Sequence, residues 1–168
     1  AGGIGGGVPG GPIEAAAGAD VVVLAVPYAS VADAITEAGS LTGKVLVDLT
    51  NPIGPNLSLA VGGETSGAEE IQHLAPQARV VKAFNTVFSD LLDVELGPSD
   101  TPPQVLYAGD HEFANHKIEA MIKAVGFEPM FAGPLENARY LEPLGLMTIR
   151  FGMNLGYGRR IVPRFVEY

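Results

Sequence analysis

Apolar positions in this chain gather into five short runs, with stretches of helical spacing between them. The first run, VVVLAV after Asp20, is continuous and β-branched, which predicts a strand buried on both faces. Four similar runs come later, so strands are expected near 20–26, 44–49, 79–84, 104–108 and 127–131. A short helix fits Ile13–Gly18. Ser30-x-x-Asp33 opens a helix through Ala38, with Gly39 as its stop. Ser66-x-x-Glu69 caps another through Leu74, and Asp110 can cap a helix over 111–124 that Gly126 ends. Strands alternating with helices predict an α/β protein with a doubly wound, mostly parallel sheet. Two connections are less regular. Residues 54–67 form a long Gly/Ser/Asn loop, and the link from Phe84 to Gln104, with Leu91, Leu92 and Pro98, is open in form.

The stretch GPLENARYLEPLGLMTIRF at 133–151 predicts a long C-terminal helix. Pro134 suits a first helical position. Leu135, Ala138, Leu141, Leu144, Met147 and Phe151 recur at the spacing of one helical face. Pro143 and Gly145 interrupt that face, so a kink is expected there. Arg139 and Arg150 stand eleven residues apart, about three turns, and so share nearly one side.

The opening AGGIGGGVPGGP is rich in Gly and Pro. Gly5-x-Gly7-x-x-Gly10 satisfies the dinucleotide pattern, but no strand precedes it, and Pro9 and Pro12 flank a second glycine pair. The pattern works only between a strand and a helix amino end that holds a pyrophosphate. Residues 1–12 are therefore expected to be a flexible segment, and 13–168 one domain.

Composition narrows the chemistry. Of the 168 residues, 47% are hydrophobic and 17% charged, which fits a folded core. The net charge of −9 opposes nucleic-acid binding, which needs a basic surface. Charge is uneven: residues 1–138 hold five Lys/Arg against seventeen Asp/Glu, whereas 139–168 hold five Arg against two Glu. That basic tail either meets an anionic cofactor or pairs with its own acidic body. The absence of cysteine removes disulfides, thiolate metal sites and thiol nucleophiles, and suits a cytoplasmic setting. No apolar run reaches the roughly 18–20 residues of a membrane span.

In a doubly wound sheet, ligands bind beyond the carboxyl ends of the strands. Three motifs fall there: Val26-Pro27-Tyr28 after the first strand, Thr50-Asn51-Pro52 after the second, and Asn85-Thr86-Val87 after the third. No acid–base pair accompanies them. His111 and His116 are off the i, i+4 spacing, His73 lies in another element, and the row with Glu112 and Glu119 reads as a solvated face, so no metal site is expected. No serine sits in a G-x-S-x-G elbow. Asp48 at a strand end could contact a ribose, but it lies in the second half of the fold, and a packing or capping role is expected of it.

ADVVVLAVPY at 19–28, VLVDLTNP at 45–52, VVKAFNTV at 80–87 and the 133–151 helix, in that order, resemble the F420-dependent NADP oxidoreductase family and the related reductase domains of six-transmembrane metalloreductases. The resemblance implies a Rossmann-like domain that moves hydride between NADP(H) and coenzyme F420 or a flavin. It implies that Val26, Pro27 and Tyr28 lie over the dinucleotide, and that Asn85, Thr86 and Val87 lie beside the nicotinamide, where the second ring stacks. Asn51 and Pro52, placed by the strand-end rule, are expected to join the cofactor site. Direct ring-to-ring transfer needs proximity and a dry site more than a proton donor. The resemblance also implies a homodimer to which the C-terminal helix contributes. Family members begin with a strand–turn–helix–strand unit that grips the phosphates. Its counterpart is not seen here, so the chain reads as N-terminally truncated or completed by another chain. Two further readings stay open: an NADPH–flavin reductase feeding a metal or haem, and a non-catalytic fragment or scaffold needing a partner.

Overall fold

The computed structural model describes residues 7–94, 97 and 100–168. Residues 1–6, which include Gly5 of the glycine pattern, and Pro98 of the irregular connection lie outside the described residues.

Among the described residues, seven strands and five α-helices run in the order α1 (Pro12–Ala17), β1 (Val21–Leu24), α2 (Val31–Ala38), β2 (Val45–Asp48), β3 (Ile53–Gly54), β4 (Ser58–Leu59), α3 (Gly67–Leu74), β5 (Arg79–Ala83), β6 (Gln104–Gly109), α4 (Glu112–Ala124), β7 (Glu128–Phe131) and α5 (Ala138–Ile149). The main sheet has the order β1-β2-β5-β6-β7. β1, β2 and β5 run parallel, as do β6 and β7, whereas β5 and β6 are antiparallel. The long link from Phe84 to Gln104 returns the chain in the opposite direction, so the sheet is mixed but mostly parallel, and Rossmann-like. β3 and β4 form a small antiparallel pair inside the stretch expected to be loop.

Alternation along the strands sorts the core onto two faces. Val45, Val47, Val81, Ala83, Val105 and Tyr107 pack with Ala114, Ile118 and Ile122 of α4. Leu46 and Val80 pack with Leu24, Ile35, Ala68, Ile71 and Ala138, while Leu106 and Ala108 meet Leu141 of α5. The first strand departs from expectation: Val21 and Val22 are only half-buried and Val23 is 47% exposed, because among the described residues β1 pairs on one side alone.

Caps differ locally. Ser66 behaves as expected, accepting from Glu69 N at 3.2 Å. Ser30 makes no side-chain cap, since a 3₁₀ turn at Tyr28–Ser30 already leads into α2. Asp110 is drawn away from α4 and accepts from Leu135 N at 2.9 Å. Pro143 lies on the exposed side of α5, which stays α-helical to Ile149; the winding changes at Arg150–Asn154, a π turn. α5 buries Ala138, Leu141, Glu142, Gly145 and Thr148, while Met147 and Phe151 remain exposed. Among the described residues, no helix is long and apolar enough to cross a membrane.

Candidate functional site

Because β2 and β5 are parallel, their carboxyl ends open side by side. The chain leaves β5 through Phe84, whose φ of 61° is left-handed, a conformation that costs a non-glycine residue about 1–3 kcal/mol. This turn, closed by Val87 N donating to Phe84 O at 3.0 Å, aims Asn85 and Thr86 at the strand end. There Asn85 Nδ2 donates to Asn51 Oδ1 at 3.0 Å and to Leu141 O of α5 at 2.8 Å. Asn51 Nδ2 returns a bond to Asn85 O at 2.7 Å.

α5 can approach this pair because residue 145 is glycine. A Cβ there would stand 2.5 Å from Asn51 Oδ1 and 2.7 Å from Asn85 Nδ2. Between the strand ends and α5 opens a cavity of about 370 Å³. Asn51, Asn85, Thr86 and Val87 line one wall; Gly145, Thr148, Ile149 and Met153 line another. Leu49, Ile53, Leu57 and Phe84 make the remainder largely apolar, and none of the lining residues described is charged.

Charge lies one layer behind that wall. Lys82, fully buried, is the register partner of Asp48 across the β2–β5 ladder. Its Nζ donates to Asp48 Oδ2 at 2.8 Å, Thr50 O at 2.6 Å and Glu142 Oε1 at 3.0 Å. Glu142 also accepts from Gly67 N at 2.9 Å and Ala68 N at 3.0 Å, the amino end of α3. This network ties β2, β5, α3 and α5 together. Asp48 therefore pairs with charge, and also accepts from Thr50 N at 2.8 Å, the capping contact expected of it.

The other expected residues divide. Tyr28 lies close to Pro52 and Glu142: a Cβ on Gly67 would meet Tyr28 Cε2 at 2.8 Å, Glu142 Oε1 at 3.2 Å and Pro52 Cγ at 3.4 Å. Its hydroxyl donates to Glu70 Oε2 at 2.5 Å. Burial, then that bond, pushes the phenol's pKa well above its ordinary value. Val26 instead borders a separate cavity of about 410 Å³ beside β1, and Pro27 is exposed. Neither lines the β2–β5 cavity.

Four of the five arginines of the basic tail turn to the body. Arg139 forks onto Glu69 at 2.6 and 2.9 Å, Arg159 meets Asp90 at 2.8 Å, and Arg164 meets Glu128 at 2.7 Å. Arg150 donates to Leu57 O at 2.8 Å. Thus Arg139 and Arg150 hold different partners. His116 sits exposed beside Glu112 and Glu119, and no group of three or more His, Asp or Glu is gathered as metal ligands among the described residues.

Residues 6–52 match the family described as NADP oxidoreductase, coenzyme F420-dependent. The chain is 35% identical to the metalloreductase STEAP3 of Rattus norvegicus over 81% of its own length and 27% of that protein. It is 31% identical to the F420-dependent NADP reductase of Methanothermobacter thermautotrophicus, over 83% of this chain and 63% of that one. A solved structure of a candidate F420-dependent NADP reductase from Arthrobacter sp. FB24 superposes with a TM-score of 0.79 at 31% identity, covering 88% of this chain and 70% of that one. The chain thus spans about a quarter of the metalloreductase and under two thirds of the archaeal reductase.

Proposed function

This chain belongs to the coenzyme F420-dependent NADP oxidoreductase family, and on that premise we propose that its β2–β5 cavity is a ring site for hydride transfer between NADP(H) and a deazaflavin or flavin. The observation that carries the proposal is the cavity's lining: mostly apolar, without charge among the lining residues described, and closed on one side by paired carboxamides. Planar, weakly polar rings fit such a wall. Asn85 Oδ1 and Thr86 Oγ1 are buried without hydrogen-bond partners, capacity that a nicotinamide carboxamide would meet.

When bound, NADPH supplies the hydride. The chain's own part is to position and to exclude water. Asn51, Asn85, Thr86 and Val87 would hold one ring against the strand ends. Thr148, Ile149 and Met153 would cover it from α5. Tyr28 and Pro52 pack together around Gly67, outside the cavity lining. Stopped-flow mixing of the chain with NADPH and either F420 or FMN tests this. Substrate-dependent bleaching of the deazaflavin or flavin band is expected, and slowed transfer from 4-deuterated NADPH would mark the hydride step.

A second reading, an NADPH–flavin reductase that passes electrons to a metal, is favoured by the 35% identity to a metalloreductase. Onward electron transfer from the reduced flavin to a metal selects it, and reaction with neither F420 nor FMN selects the scaffold. We assign the homodimer contact to the apolar surface where α5 ends, at Met147, Phe151, Met153, Leu155 and Tyr157, all at least 37% exposed. Sedimentation of the chain and of a Phe151→Glu variant checks that assignment.

A further inference from the structure

Hydrogen-bond direction fixes the charges of the buried network. Lys82 donates three bonds, the full complement of an ammonium. Asp48 accepts from Thr50 N and Lys82. Glu142 accepts from Gly67 N, Ala68 N and Lys82. Neither carboxylate donates, so both are ionised: two negative charges face one positive charge, all three groups at most 1% exposed. The amino end of α3 adds about half a positive charge opposite Glu142, which leaves the balance negative. Arg139 does not alter it, being paired with Glu69, and Glu70 on the Tyr28 hydroxyl adds to the negative side.

The network stands one residue layer from the cavity. Thr50, whose carbonyl receives Lys82, precedes Asn51; Glu142 precedes Gly145 by about one helical turn. Asn51 and Gly145 both line the cavity, where no described side chain is charged. A buried field is weakly screened by salt and acts across such a wall.

We infer that the Asp48–Lys82–Glu142 network sets the redox-state preference of the cavity, favouring the oxidised nicotinamide over the reduced one. Loss of hydride, one proton with two electrons, turns the neutral dihydronicotinamide into a cation, and a net negative charge behind the wall attracts the cation alone. The inference rests on the cavity being the nicotinamide site. It makes Asp48, Lys82 and Glu142 positioning and electrostatic residues, none of which lines the cavity.

The test is to titrate NADP⁺ and NADPH separately against the chain and against Glu142→Gln and Asp48→Asn, each of which removes one negative charge. The readout is the ratio of the two dissociation constants. Each substitution is expected to raise Kd(NADP⁺)/Kd(NADPH) roughly three- to tenfold, the effect of one charge at about 10 Å in an intermediate dielectric. A purely structural role would weaken both nucleotides alike, leave the ratio unchanged and overturn the inference. The unaltered chain needs no variant to fold: it is expected to bind NADP⁺ at least as tightly as NADPH, and a preference for NADPH overturns the inference. Binding of neither nucleotide by a cooperatively folded chain overturns the ring-site proposal and the inference together. An unchanged ratio with both bound overturns the inference alone.

Discussion

Asn85 and Asn51 exchange two hydrogen bonds, Asn85 Nδ2 to Asn51 Oδ1 at 3.0 Å and Asn51 Nδ2 to Asn85 O at 2.7 Å. The exchange locks the end of β2 to the end of β5 just where the cavity opens. Asn85 carries the tie one element further, through Leu141 O of α5. One carboxamide thus holds three segments of the chain together.

Asn85→Ala is expected to destabilise the fold by about 1–3 kcal/mol, since it leaves Leu141 O and Asn51 Oδ1 without their donor. Asn85→Asp is expected to cost more, because its carboxylate would face those same acceptors. Urea denaturation of the three proteins gives the ranking. An Asp variant as stable as the parent would show that the pair does not hold the strand ends.

Lys82→Met is expected to cost about 3–5 kcal/mol, the usual result of leaving buried carboxylates unpartnered. Removing a carboxylate together with the lysine should hurt less than the separate losses imply. The cycle of Lys82→Met, Glu142→Leu and the double variant should therefore show coupling of more than about 0.5 kcal/mol. Additive losses would mean that the two residues do not act as a unit.

The strands were legible because continuous β-branched runs leave few alternatives to a buried sheet. Their parallel start made the ends at Asn51 and Asn85 neighbours, and the cavity opens there. Lys82 and Glu142 were not legible. A lone lysine in VVKAF reads as an edge charge until the register sets it opposite Asp48, and Glu142 lies 60 residues away in sequence. A signal was present: Lys82 shares strand parity with buried Val80, and Glu142 directly follows Leu141 on the apolar face. Hydropathy misplaced the far end of α5's face for a related reason. The buried side carries Glu142, Gly145 and Thr148 because it caps α3 and walls a cavity, so Met147 and Phe151 turn outward. Val26 and Pro27 follow β1, which lies on the far side of β2 from β5, whereas the cavity opens at the ends of β2 and β5.

The Arg139 guanidinium, by its hydrogen bonds to Glu69, lowers that carboxyl below its ordinary 4.5, against the opposing effect of burial. A carboxylate depressed in the folded state stabilises it above the unfolded value, and the benefit fades as pH falls through the folded value. Thermal melts of the parent and Arg139→Ala should therefore differ most at neutral pH and converge below pH 4.5. A gap that is constant with pH would assign the loss to packing of the arginine stem.

Gly145→Ala separates two opposite expectations. Intrinsic helix propensity favours alanine inside a helix by about 1 kcal/mol, so a helix judged on its own would gain stability. The tertiary structure says otherwise. An alanine methyl would stand 2.5 Å from Asn51 Oδ1, 2.7 Å from Asn85 Nδ2 and 3.0 Å from the Asn85 carbonyl, and that carbonyl belongs to backbone already held in the Phe84 turn. Relief requires α5 to lift from the strand ends, which would lengthen the Asn85–Leu141 bond and strain the Lys82–Glu142 contact in the preceding turn. Overpacking of this kind typically costs about 1–3 kcal/mol, enough to reverse the propensity gain. Gly145→Ala should therefore lower the urea midpoint and weaken any ligand held between Asn85 and Thr148. A variant that is more stable than the parent, with the cavity's ligand bound as before, would mean that α5 does not depend on this close approach.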